Sequence, residues 1–487
     1  MAILGQMAIP GEVGSNRPKP GVIRWTIGPL LAILAIAAVG LVLRLWGTRG
    51  DLWLDEIWSI ALLEPLTSID QIFWRVNHDN NHFLNSIYLY LVGLDASPAV
   101  QRGLSVVLGV GTIVAAALTA QARGMRTAVV TALLFAVSYP MVHYGSEARG
   151  YAGLVLSTLL AVMFLERQLD HRGAGMAFAL TVLFGFLSHL TMIETVVVLV
   201  VWAAWLVWRR TGSLGAVNIE VGRIFGPAFL AVLPLVACLV VGIQLLGFKI
   251  GGVAPFSFQE FARGYGRMIR YLFGLPGWFE DWALIVAACG SVCVSAYIWR
   301  GSRSSLYVLG AAGLPFLMVA ARLPNLAQPR YFLVSATLML LWAGELLGRG
   351  LDAGGRRSLL AVAVLGIVLL ANGSSLLHFY EHGRGSYGPL VERMTREGPA
   401  TYATNQDIRI VGVVEYFAAR LGRQVSKVAL DRTSVERPDW LVLEGDPDRQ
   451  AQYFDVRSDG PLTYDRIGSS TYWGLSGASW TIYRRRE

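Results

Sequence analysis

Roughly eleven stretches of about 20 apolar residues recur along this chain, and nothing else in it restricts the fold as tightly. They begin near residues 25, 98, 127, 151, 173, 195, 224, 281, 305, 331 and 358, and each runs about 17 to 23 residues. A bilayer core of about 30 Å takes a helix of that length, because only a helix satisfies its own backbone in hydrocarbon. Composition agrees: of 487 residues, 54% are hydrophobic and only 15% charged, where a soluble domain carries about a quarter charged. The chain reads as an α-helical polytopic membrane protein.

The formal net charge of +8 would suit nucleic acid if it were gathered into one patch, but the arginines punctuate short loops instead. Arg17, Lys19 and Arg24 precede the first span. Arg123/Arg126, Arg167/Arg172, Arg209/Arg210/Arg223, Arg300/Arg303 and Arg349/Arg356/Arg357 fall on the same side by alternation. The excess of Lys and Arg on cytoplasmic loops therefore predicts a cytoplasmic amino terminus and, with an odd number of spans, an outer carboxyl terminus. The first span is too long for a removed signal peptide and lacks a small-residue cleavage site, so it reads as an anchor. Cys238, Cys289 and Cys293 lie inside apolar stretches, which predicts buried thiols rather than a disulfide framework or a zinc site.

Three regions divide the sequence. A cytoplasmic segment covers 1–24 and a transmembrane domain 25–377, with large outer loops at about 48–97 and 247–280. Residues 378–487 become soluble in character. The first loop carries amphipathic runs at Ile57 to Leu63 and Phe83 to Val92, and the second sets Arg263, Arg267 and Arg270 among aromatics at helical spacing; both suit interfacial helices. In the last region, strand-like Ala400 to Thr404, Trp440 to Glu444 and Trp480 to Tyr483 accompany a helix-like Ile408 to Leu421, predicting a small C-terminal α/β extracytoplasmic domain.

Chemistry concentrates at the outer side. Just beyond the first span lies Leu54-Asp55-Glu56-Ile57-Trp58-Ser59. Asp79-Asn80-Asn81-His82-Phe83-Leu84-Asn85, Ser146-Glu147-Ala148-Arg149-Gly150-Tyr151 and Gln328-Pro329-Arg330-Tyr331 follow. In order, spacing and location this set resembles the glycosyltransferase family 39/83 type of membrane enzyme, the GT-C fold shared by protein O-mannosyltransferases and the lipid A aminoarabinose transferase. The usual His-Pro-Pro of the first loop is absent, and Asn81-His82-Phe83-Leu84 stands in its place.

The resemblance implies transfer of a sugar from a polyprenyl-phosphate-linked donor, with inversion, to a glycan, lipid or protein acceptor at the periplasmic face of a bacterial inner membrane. One-step displacement needs a single general base. Asp55 is the candidate, with Glu56 beside it as a second catalytic-site carboxylate whose direction on a helix diverges by about 100°; the competing reading is that the pair caps an interfacial helix.

The leaving phosphate needs cations. Arg149, Arg330, Tyr151, Tyr331, Arg263, Arg267 and Arg270 are the donor-phosphate candidates, against snorkelling to headgroups. His78, Asp79, His82, Glu147, His189 and Glu194 are candidates for the acceptor or the cavity, and Glu147 is a candidate partner for Arg149. His78, Asp79 and His82 would also suit a divalent metal, the only cofactor the residues suggest, if they shared a helix face.

No cytoplasmic loop is long enough for a nucleotide-sugar domain, so the donor is expected to arrive through the bilayer. An oligosaccharide ligase or polymerase with a diphosphate-linked donor and a lipid or glycan transporter remain the alternatives. A transporter would place its ionisable groups near mid-membrane, whereas these gather at one face.

Overall fold

A computed structural model describes residues 27–78, 80–171, 173–248, 254–456 and 462–486. The amino-terminal segment, its basic residues and Asp79 lie outside the described residues. Among those described, nine helices are long and apolar enough to cross a membrane. All eleven expected stretches are helical, but Met125–Val137 and Gly175–Ser188 are shorter than a full span, and Leu214–Leu246 runs 33 residues. The segment Pro329–Asp352 is central and almost wholly buried, whereas Ile27–Gly47 and Leu214–Leu246 keep most of their apolar surface on the outside. Gly344 and Gly348 let the central helix approach Thr131 and Thr127 so closely that a Cβ at either glycine would strike those threonines.

The short Met125–Val137 helix has a physical cause. After Ser138 the chain bends and restarts as Tyr139–Tyr144, with Pro140 in its first turn. Proline cannot donate the bond that would close on the residue four before it. The freed carbonyls of Phe135 and Ala136 are taken by Arg44, fully buried, whose guanidinium donates to them at 3.0 and 3.3 Å and also reaches the Met141 carbonyl at 3.3 Å. An arginine inside an apolar stretch thus has its partners, as its insertion cost of about 2.5–3.5 kcal/mol demands.

The first loop contains helices Leu54–Ala61, Gln71–Trp74 and Phe83–Val92. The second contains Phe258–Phe273, whose face of Phe261, Tyr265, Met268, Ile269 and Leu272 is buried. Of the three cysteines, only Cys289 is buried; Cys238 is half-buried and Cys293 faces outward, contrary to the expectation of buried thiols. An apolar helix surface turned to lipid leaves a thiol exposed without cost.

Gly355–His382 is the last long helix, and the chain then enters a six-stranded sheet. Its strands are β1 (Ala400–Thr404), β2 (Val425–Val428), β3 (Trp440–Glu444), β4 (Tyr453–Val456), β5 (Leu462–Ser470) and β6 (Trp480–Arg485), in the order β2-β1-β3-β6-β5-β4. β1 pairs in parallel with β2 and β3, and the remaining pairs are antiparallel. Helix Asp407–Arg420 covers one face and packs on Leu54–Ala61, so Leu52, Ile57 and Ile60 share one core with Ile410, Val413 and Val414.

The sheet domain is also inserted into the helical part. Between β5 and β6, Ser476 donates to Glu147 Oε2 at 3.0 Å, and the Leu475 amide donates to the Tyr139 hydroxyl at 3.1 Å. Trp473 packs its ring edge-on against Tyr139 and Tyr271. Gly474, at φ +101°, lies so close to the Tyr139 hydroxyl that no Cβ fits. Arg384 completes the joint, donating to the carbonyls of Gly47 at 3.1 Å and His143 at 2.8 Å.

Candidate active site

Three of the four sequence motifs meet on Asp55. It lies in the first turn of Leu54–Ala61, buried, and its Oδ2 accepts from both Arg149 and Arg330, the latter at 2.8 Å. Among the described residues no hydrogen bond reaches Oδ1. The fourth motif fixes the helix that carries it: Asn80 Nδ2 donates to the Asp55 carbonyl at 2.6 Å and to the Ser59 hydroxyl at 2.7 Å. Asn85 Nδ2 donates to the Ala148 carbonyl at 2.8 Å, which ties that motif to the Arg149 turn.

Glu56 is fully buried and points elsewhere. Its Oε1 accepts from Arg102 Nε and from the Ala148 amide, both at 2.8 Å; its Oε2 accepts from Arg102 Nη2 at 2.6 Å and the Trp53 amide at 3.2 Å. Burial alone would push this carboxyl up, but the Arg102 guanidinium holds it below the usual carboxylate range. Arg102 also donates to the carbonyls of Thr48, Gly50 and Asp51, at 2.9, 3.1 and 2.8 Å. Both oxygens of Glu56 are thereby used in holding the chain between the first span and the Asp55 helix.

Arg149 donates through Nε to His82 Nε2 at 3.2 Å and stacks over the Tyr151 ring, with its Cζ 4.9 Å from the ring centroid. Its nearest carboxylate is Asp55; Glu147 is farther, at 3.9 Å. His82 is buried at the start of Phe83–Val92 and stacks on His189 with ring centroids 4.5 Å apart. Burial, then His189 and Arg149, pushes the His82 imidazole well below its ordinary value, so it is neutral and free to accept the Arg149 N–H. The turn depends on Gly150: a Cβ there would overlap the Ser188 carbonyl at the end of Gly175–Ser188.

Glu147 faces the inserted loop rather than Asp55. Burial raises its carboxyl, but the His143 contact and the charges of Arg384, His143 and Arg149 outweigh this and hold it low. Arg330 is half-buried, next to Tyr331, on the single turn Pro329–Phe332. The Phe258–Phe273 helix braces that turn by stacking Tyr265 on Phe332 at 4.8 Å and pressing Gly264 against the Leu326 carbonyl.

The other expected residues are placed less directly. Arg270 pairs with Asp281 at 2.7 Å, Arg267 lies beside Tyr271 and Tyr472, and Arg263 is exposed. His78 packs against Trp58 and its Nδ1 accepts from the Asn80 amide at 3.0 Å. His78 and His82 share no helix face, since the chain turns between them and the helix begins at Phe83. Glu194 is buried in the first turn of Met192–Thr211, and its Oε2 has no hydrogen bond among the described residues.

Arg102, Asn80 and Asn85 are the residues that sequence reasoning passed over. Arg102 carried a signal, because it stands inside a stretch assigned to a span, where an ionisable group calls for a partner. The asparagines carried none beyond their place in the motif.

No protein-family model matches the chain, and no curated protein does. Among solved structures it is similar to ArnT from Cupriavidus metallidurans in the apo state, at 14% identity and a TM-score of 0.47, over 93% of this chain and 97% of that one. ArnT bound to undecaprenyl phosphate gives 14% identity and 0.46, over 94% and 98%. The archaeal oligosaccharyltransferase AglB from Archaeoglobus fulgidus, in complex with an inhibitory peptide and a dolichol-phosphate, gives 10% identity and 0.48, over 85% and 69%.

Proposed function

We propose that the protein is an inverting membrane glycosyltransferase of the GT-C type. It moves a sugar from a polyprenyl-phosphate carrier to an acceptor hydroxyl on a glycan, lipid or protein at the periplasmic face of a bacterial inner membrane. The observation that carries this reading is the single carboxylate oxygen of Asp55 held by Arg149 and Arg330, at the end of the helices that bears the sheet domain.

Two converging guanidinium groups form an anion site. The Asp55 carboxylate accepts from both of them. A donor phosphate entering from the bilayer takes over these arginines, and Oδ1 accepts the proton of the acceptor hydroxyl. The acceptor's oxygen, not the carboxylate, then forms the new bond to the anomeric carbon as the bond from that carbon to the phosphate oxygen breaks. The electron pair leaves on the lipid phosphate, whose charge Arg149 and Arg330 meet.

A retaining reaction would need a second carboxylate as nucleophile. Glu56 is consumed by Arg102, and Glu147 by Ser476 and its cationic neighbours, which supports inversion. His82 and Tyr151 orient Arg149, and Glu56 and Arg102 set the position of the Asp55 helix; these are positioning residues.

The test is binding of polyprenyl monophosphate to detergent-solubilised protein, with polyprenyl diphosphate and inorganic phosphate as comparators. Arg330→Gln removes one charge-assisted contact of about 1.5–3 kcal/mol, so monophosphate affinity should fall about tenfold or more. Unchanged affinity would remove Arg330 from the donor site, and a preference for diphosphate would favour the ligase reading.

A further inference from the structure

The last turn of Gly355–His382 carries a group of side chains that the transfer reaction does not use. His378 stands one turn before Glu381 and His382, at i, i+3 and i+4, so each of the two lies beside it on the helix surface. Each offers a ligand atom within 4.8 Å of the other two. We propose that they form a binding site for a divalent transition metal of the zinc class, at the joint between the last membrane helix and the sheet domain.

The donor set selects the metal. Two imidazoles and a carboxylate suit zinc, whereas magnesium and calcium take oxygen ligands. Ligand atoms about 2.0–2.2 Å from a tetrahedral zinc are about 3.4 Å from each other. His378 and Glu381 are exposed and His382 half-buried, so ordinary rotamer adjustment brings them in. His382 Nδ1 lies 3.1 Å from the His378 carbonyl. With Nδ1 donating there, Nε2 keeps its lone pair for the metal, the arrangement by which backbone carbonyls orient ligating histidines. The two histidines at i and i+4 have the spacing at which the His-x-x-Glu-His order of inverzincins holds zinc on a helix, although the glutamate of that motif is a base and not a ligand.

The position gives the site its consequence. Immediately after His382 the chain turns through Gly383, at φ +59°, towards Arg384. The Gly383 carbonyl accepts from the Trp473 amide at 3.4 Å, and the His378 ring lies 5.7 Å from that of Trp473. A metal there stiffens the final turn and holds His378 against the inserted loop, so that it strengthens the seat of the sheet domain on the helices. None of the three ligands contacts Asp55, Arg149 or Arg330 among the described residues.

The experiment uses full-length protein without a histidine tag, loaded with zinc chloride and freed of excess. Bound metal is counted by mass spectrometry, and affinity is read by competition with a chromophoric chelator. One retained equivalent is expected, lost in His378→Ala/His382→Ala, weakened about tenfold or more in Glu381→Gln, and kept in His78→Ala. Zinc should also slow proteolysis between 383 and 386 in the wild type and not in the double variant. Size-exclusion profiles verify that the variants fold, and Glu381→Gln carries the test if the double variant does not. No retained zinc in the wild type, or an equivalent that survives loss of both histidines, overturns the proposal.

Discussion

Replacing Arg102 by Met should be among the most damaging single changes outside the Asp55 cluster. Arg102 is fully buried and makes five hydrogen bonds, two to Glu56 and one each to Thr48, Gly50 and Asp51. Removing one partner of a buried ion pair costs about 3–5 kcal/mol, because the remaining charge is left without compensation. The Ala148 and Trp53 amides retain two contacts with Glu56, which places the expected loss near the middle, about 4 kcal/mol. At about 2 °C per kcal/mol, the midpoint of thermal unfolding in detergent should fall by about 8 °C.

Adding Glu56→Gln should restore part of that loss, since a neutral amide keeps the shape without the orphaned charge. Arg102→Lys should not, because an ammonium cannot reproduce the fork that meets both carboxylate oxygens. Tryptophan fluorescence on heating measures all four proteins. A loss below about 1 kcal/mol for Arg102→Met, or no recovery in the double variant, would refute the reasoning that this pair holds the Asp55 helix in place.

Other outcomes follow from the same contacts. His82 is neutral in the fold with its pKa lowered, so the unfolded chain binds a proton below about pH 6.5 that the folded one does not. Its contribution is therefore whole above that pH and declines on acidification by up to about 1.4 kcal/mol per pH unit. The difference in unfolding midpoint between wild type and His82→Gln should vary with pH in this window, and a constant difference would show His82 protonated in the fold. Gly474→Ala should unseat the inserted loop, costing about 1–3 kcal/mol through its positive φ and its contact with Tyr139; proteolysis near 470–479 should accelerate, and an unchanged cleavage rate would mean that the loop is not held there.

Much of the helical part was legible because apolar length is a one-dimensional property. Strands β1 and β3 and helix Phe83–Val92 fall at the positions their patterns predict. β2, β4 and β5 were missed: β2 alternates weakly, and β4 and β5 form a half-exposed antiparallel pair with little apolar contrast. The broken helix at Ser138 could have been read from Pro140, whereas its repair by Arg44 is a tertiary event across about ninety residues.

The same holds for the site. That Asp55, Arg149 and Arg330 carry charge at span edges was visible, and that both arginines meet one oxygen was not. Nor does any local pattern separate Asp55 from Glu56. Their divergence on the helix is legible, but the choice between them rests on Arg102, whose place beside Glu56 only folding reveals.

The central claim is best tested by sugar transfer from radiolabelled polyprenyl-monophosphate sugars, comparing wild type with Asp55→Asn. The amide preserves the side-chain shape and cannot accept the proton, so transfer should fall by about a hundredfold or more while the protein remains folded and still binds the donor. Full transfer by Asp55→Asn would contradict the assignment of Asp55 as the base.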